Sequence, residues 1–134
     1  MKKIIKVKYK VAVIEDEEVV SKMLTEELVD AGFDVVTAAD GEEGLQMVLK
    51  ERPDLILLDI VMPKMDGMTM MGKLRAAGGF GSHVPIILLT NLNADDRIMN
   101  GVIKNEPAYY LVKSSYTVAD LVEKVKKSLD DLED

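Results

Sequence analysis

Two stretches of this sequence, Leu55-Ile56-Leu57-Leu58 and Ile86-Ile87-Leu88-Leu89, are apolar without interruption. A strand with one wet face alternates apolar and polar residues; a strand with no polar alternation is buried on both faces. Such runs fit a parallel sheet with helices packed on each side. Each run also stops at a polar residue, the first at Asp59 and the second at Thr90.

The rest of the chain repeats this plan. Val11 to Ile14 reads as a first strand, followed by Glu15 and Asp16. Val20, Met23, Leu24, Leu28 and Ala31 then recur at helical spacing, and Gly32 supplies a stop. Val35 to Ala38 reads as a second strand. Asp40 with Glu43 three residues on forms a capping-box pattern. It opens a helix carrying Leu45, Val48 and Leu49, which Pro53 prevents from continuing. A third helix is expected over 66–77, with Met68, Met71 and Leu74 on one face, and the glycine-rich stretch 78–81 as a loop. A weaker helix over 95–104, a fifth strand over 108–112 ending at Lys113, and a last helix capped by Thr117 complete the series. The last helix presents Val118, Leu121, Val122, Val125 and Leu129, and 130–134 is expected to be its fraying acidic end.

Five β-α units in series predict a doubly wound α/β domain with a parallel sheet. The chain is expected to be one domain over 1–134, with its core at about 10–130 and an N-terminal extension over 1–9. Lys2, Lys3, Lys6, Lys8 and Lys10 in that extension read as a solvated lead into the first strand.

Composition removes several classes of function. There is no cysteine, which excludes disulfides, thiolate metal sites and a cysteine nucleophile. The net charge of −7 makes direct nucleic-acid binding a poor expectation. No stretch approaches the roughly 20 apolar residues of a membrane span, so no membrane insertion and a cytoplasmic location are expected. The single histidine, His83, receives no chemical role. The methionines around the third helix read as core filler.

In sheets of this kind, ligands bind beyond the carboxyl ends of the strands. Glu15 and Asp16 follow the first strand, Asp59 the third, Thr90 the fourth and Lys113 the fifth, so the topology gathers them on one edge. Clustered carboxylates repel one another, and a divalent cation removes that cost. An all-oxygen set suits Mg²⁺, or Mn²⁺ in its place. An aspartate nucleophile beside such a cation, with a lysine and a hydroxyl to hold phosphoryl oxygens, favours phosphoryl transfer.

The same residues resemble response-regulator receiver domains of the chemotaxis-type, single-domain kind. The matching pieces are Val13-Ile14-Glu15-Asp16-Glu17, Asp40-Gly41-Glu42-Glu43-Gly44-Leu45, the block from Pro53 to Gly67, Leu88-Leu89-Thr90, and Tyr110-Leu111-Val112-Lys113. The resemblance implies a flavodoxin-like, five-stranded sheet in order 2-1-3-4-5 with five helices. It implies that Asp59 accepts a phosphoryl group from a phosphohistidine on a sensor histidine kinase or a histidine phosphotransfer protein. Asp16, Asp59 and the backbone carbonyl of Val61 would bind Mg²⁺, with Glu15 acting largely through water. Lys113 would contact the phosphoryl group, and Thr90 and Tyr110 would form the switch. Their movement would reshape the face made by the 95–104 helix, the fifth strand and the last helix, where a downstream protein docks. On this reading the chain is a signalling protein rather than an enzyme.

Three positions depart from the family pattern. Asn91 stands where a small residue is usual, Ser114 replaces the proline after the lysine, and 101–107 lacks the usual Gly-Ala turn. The Lys113–Ser114 peptide bond is expected to be trans, because a cis bond before a non-proline residue costs about 2.5–4 kcal/mol. Two other classes fit poorly. An aspartate-nucleophile phosphatase usually needs an acid where this chain has Val61, and a flavin carrier needs a phosphate loop where it has Glu15-Asp16-Glu17-Glu18. A pseudo-receiver, the same fold used only for protein docking, remains the alternative.

Overall fold

The computed structural model describes residues 8–90, 109–112 and 116–133. Its strands are β1 (Lys10–Ile14), β2 (Asp34–Ala38), β3 (Leu55–Asp59), β4 (Ile86–Thr90) and β5 (Tyr109–Val112). Its helices are α1 (Glu18–Asp30), α2 (Gly41–Glu51), α3 (Gly67–Ala76), the short α4 (Phe80–His83) and α5 (Val118–Glu133). All four strand pairings are parallel, and the sheet order is β2-β1-β3-β4-β5. This is the flavodoxin-like order expected from the sequence.

The uninterrupted apolar runs behave as their pattern requires. Leu55 and Leu57 pack with Val11, Val13, Ile87 and Leu89 against α1 and α5, through Leu24, Leu28, Leu121, Val125 and Leu129. Ile56 and Leu58 point the other way. They join Ala12, Ile14, Ile86 and Leu88 against α2 and α3, through Val48, Met70, Met71 and Leu74. Successive residues therefore feed two cores, one on each face. Each fully buried Leu or Ile contributes roughly 1.5–3 kcal/mol, which is why β3 and β4 carry no polar residue before their ends and β1 none after Lys10.

Helix starts follow the capping residues. The Asp40 carboxylate accepts from the Glu43 N–H at 2.8 Å, and Asp66 does the same for Thr69 at 2.7 Å. Thr117 and Asp120 cap each other reciprocally at 3.1 Å, closing a full box at the start of α5.

Met23 and Leu49 share the helical spacing of their neighbours but are 45% and 44% exposed, because the sheet covers only the stripes centred on Leu24/Leu28 and Val48. One expectation is corrected: the stretch 78–81 is not simply loop. After Gly78 and Gly79 at positive φ, residues 80–83 wind into the turn α4, and the Arg75 guanidinium fixes it by donating to the Gly81 and Val84 carbonyls at 3.1 and 2.8 Å. The acidic stretch is a helix end, as expected, with α5 running to Glu133. The expected 95–104 helix, Asn91, the 101–107 segment and the Lys113–Ser114 bond lie outside the described residues. Among the described residues, no helix is long and apolar enough to cross a membrane.

Candidate functional site

Strand register aligns the polar ends of the sheet. Ile14 pairs with Leu58 and Asp59 with Leu89, so continuing β1 by one residue sets Glu15 level with Asp59. Thr90 pairs with Val112, which places the end of β4 beside the end of β5. Tyr110 pairs with Leu88, one turn of the pleat earlier. Lys113 itself lies outside the described residues, as do the side chains of Thr90 and Tyr110.

Three carboxylates converge at this edge. One oxygen from each of Glu15, Asp16 and Asp59 lies within 4.8 Å of the others. Glu15 and Asp59 are buried at 2% and 5% exposure, while Asp16 is exposed at the mouth. The cluster therefore has a closed floor and an open front. The backbone fixes it from both sides: the Glu15 N–H donates to the Ala38 carbonyl at 3.1 Å, and the Ile60 N–H donates to the Leu89 carbonyl at 3.1 Å. The Glu15 carboxylate also accepts from the Glu17 N–H at 3.4 Å, which turns the chain into α1.

The loop after Asp59 is clamped in ways that the sequence alone does not reveal. The Gly67 N–H donates to the Ile60 carbonyl at 2.8 Å, bringing the start of α3 against the end of β3. A methyl group on Gly67 would collide with the carbonyl oxygen of Asp59, so only glycine allows this approach. Lys64 adopts the left-handed region at φ 64, uncommon for a side-chain-bearing residue. From there its ammonium reaches the Asp40 carboxylate at 3.7 Å. Asp40 thus caps α2 and anchors the loop at once. Val61 is 56% exposed and belongs to neither core.

Chemically, the cluster is a set of hard oxygen donors able to hold a divalent cation. The donor chemistry fits Mg²⁺.

Comparison with known proteins gives the same picture. The family model for the response regulator receiver domain matches residues 11–126. The chain is 45% identical over 92 residues to the "Probable transcriptional regulator ycf27" of Porphyridium aerugineum, a match covering 68% of this chain and 37% of that protein. It is 37% identical over 121 residues to the transcriptional regulatory protein PrrA of Mycobacterium bovis, covering 90% of this chain and 49% of PrrA. The matched stretch thus spans about a third to a half of the curated relatives. Among solved structures, the chemotaxis protein CheY4 of Vibrio cholerae superposes with a TM-score of 0.79 at 28% identity, covering 89% of this chain and 97% of that one. With its sheet order, its strand-end carboxylates and its sequence all in agreement, the chain belongs to the response regulator receiver domain family.

Proposed function

We propose that this domain is the phosphoacceptor of a two-component relay, with Asp59 as the residue modified. The convergence of Glu15, Asp16 and Asp59 within 4.8 Å carries the reading. Two of these carboxylates are buried, and buried like charges at that distance repel strongly unless a cation intervenes. Mg²⁺ is the ion proposed, with Mn²⁺ able to replace it, held by Asp16, Asp59 and the Val61 carbonyl, with Glu15 acting through water. Once bound, such an ion neutralises phosphoryl oxygens and lowers the barrier to transfer.

The chain's own residues then do the following. An Asp59 carboxylate oxygen attacks phosphorus, the P–N bond to the donor imidazole breaks as the P–O bond forms, and the imidazole leaves with a proton from solvent. Burial of Asp59 restricts approach to the open strand-end side, where Asp16 lies. Thr90 and Lys113 supply a hydroxyl and an ammonium for the remaining oxygens. Thr90 and Tyr110 transmit the change to the β5 and α5 surface, and a downstream protein reads it there.

The donor is a phosphohistidine on a sensor histidine kinase or a phosphotransfer protein, and the compartment is the cytoplasm. Relatives named as transcriptional regulators and a neighbour named as a chemotaxis protein support a signalling role; in this reading the domain modifies itself rather than a substrate. Acetyl phosphate tests the reading without the kinase. Labelling is expected with Mg²⁺ and not with EDTA; no labelling under either condition would favour the pseudo-receiver.

A further inference from the structure

We propose that the free edge of β2 is a self-association surface, pairing antiparallel with β2 of a second copy of this chain. Among the described residues, β2 has β1 on one side and no strand on the other. The phase of the ladder is fixed at both ends: the Asp34 N–H donates to the Tyr9 carbonyl at 2.9 Å, and the Ala38 carbonyl accepts from the Glu15 N–H at 3.1 Å. Backbone groups of successive strand residues alternate in direction. Asp34, Val36 and Ala38 therefore turn theirs toward β1, and Val35 and Thr37 turn theirs outward.

That phase suits a two-fold axis through Val36. Antiparallel pairing would set Val35 opposite Thr37 of the second copy, and Thr37 opposite its Val35. Each pair exchanges both backbone bonds, so all four outward groups are satisfied. Val36 would face Val36 at the close, non-hydrogen-bonded position between them. A two-fold interface must be self-complementary in this way.

The neighbouring helix supplies a matching charge pattern. A groove of about 490 Å³ follows the edge, lined by Val36 and Thr37, by Gln46 and the Lys10-paired Glu51, and by Glu43, Met47 and Lys50 of α2. Those three helical residues lie at i, i+4 and i+7, one row with an acid at one end, a base at the other and an apolar residue between. Inverting a second copy about Val36 brings Glu43 to Lys50 at both ends and Met47 to Met47 at the centre. Among the described residues, neither the Glu43 carboxylate nor the Lys50 ammonium has an ion-pair partner. An exposed edge with β-branched residues and no proline is also a ready template for strand addition.

Sedimentation of the full chain over a concentration series up to about 1 mM, the weak end of specific association, tests this. A monomer–dimer equilibrium is expected. Glu43→Lys and Lys50→Glu should each weaken it at least ~10-fold by opposing like charges twice. The double variant should restore it, and an equimolar mixture of the two single variants should form the heterodimer. Thr37→Pro removes only an outward N–H and should give a folded monomer, with folding checked by circular dichroism. A parent monomeric throughout would overturn the proposal. So would single reversals as tight as the parent, a double variant without rescue, or a folded Thr37→Pro protein that still dimerises.

Discussion

Replacing Gly67 by alanine should damage both the fold and the acidic cluster, and the size of the effect follows from the contacts. The added methyl would meet the Asp59 carbonyl oxygen, with Ile60 Cα at 2.9 Å and the Asp59 carbonyl carbon at 3.0 Å. Carbon atoms in favourable contact stand about 3.5–4.0 Å apart, so several tenths of an ångström or more must be found. The obstructing atoms are backbone, and they are held by the Ile60–Leu89 and Gly67–Ile60 hydrogen bonds. Overpacking of this kind costs about 1–3 kcal/mol. The better helix propensity of alanine offsets at most ~1 kcal/mol of that. With a urea slope of about 1–3 kcal/mol per molar, the unfolding midpoint should fall by roughly 1 M. The displaced strand end should also weaken Mn²⁺ binding, followed by the electron paramagnetic resonance signal of the free ion. Gly44→Ala is the control. Its methyl meets the Ile14 side chain, with Cγ2 at 2.9 Å and Cδ1 at 3.0 Å, and those atoms can shift without moving Asp59. It should cost less stability and leave ion affinity unchanged. A Gly67→Ala protein within ~0.5 kcal/mol of the parent and with unchanged Mn²⁺ affinity would refute the strut between α3 and β3.

Asp40→Ala should lose about 1–2 kcal/mol by urea denaturation, because it removes the α2 cap and the Lys64 ion pair together. Asp40→Asn keeps the cap oxygen and should lose less than ~1 kcal/mol. Mg²⁺ should raise the melting temperature of the parent by mass action, and that of Asp59→Asn much less; equal shifts would count against Asp59 as a ligand. Thr90→Ala should still accept a phosphoryl group but show smaller amide shift changes over residues 118–121 than the parent. Changes of full size would remove the hydroxyl from the switch.

Most of the fold was legible because its strongest determinant, continuous apolar runs ending in polar residues, is local in sequence. The caps at Asp40 and Thr117 are equally local, since each acts on a backbone N–H within three residues. The acidic cluster was legible through topology, which brings strand ends together wherever they fall in the chain. What escaped is tertiary. Helical spacing locates a buried stripe but not its width, so it does not show that the sheet stops short of Met23 and Leu49. Nothing local marks Lys64 for left-handed backbone, and its ion pair with Asp40 joins two loops far apart in sequence. The turn at 80–83 depends on donors from Arg75 in the preceding helix. The pattern Glu43, Met47, Lys50 acquires meaning only beside the free edge of β2.

The position of the phosphoryl group is the most direct test. The parent protein, treated with acetyl phosphate and Mg²⁺, is trapped with borohydride, which reduces an aspartyl phosphate to homoserine, and the peptides are sequenced by mass spectrometry. Homoserine at position 59 alone, absent from Asp59→Asn and from EDTA-treated parent, is the predicted result. Homoserine at another aspartate, or labelling that persists in Asp59→Asn, would contradict the assignment of Asp59 as the phosphoacceptor.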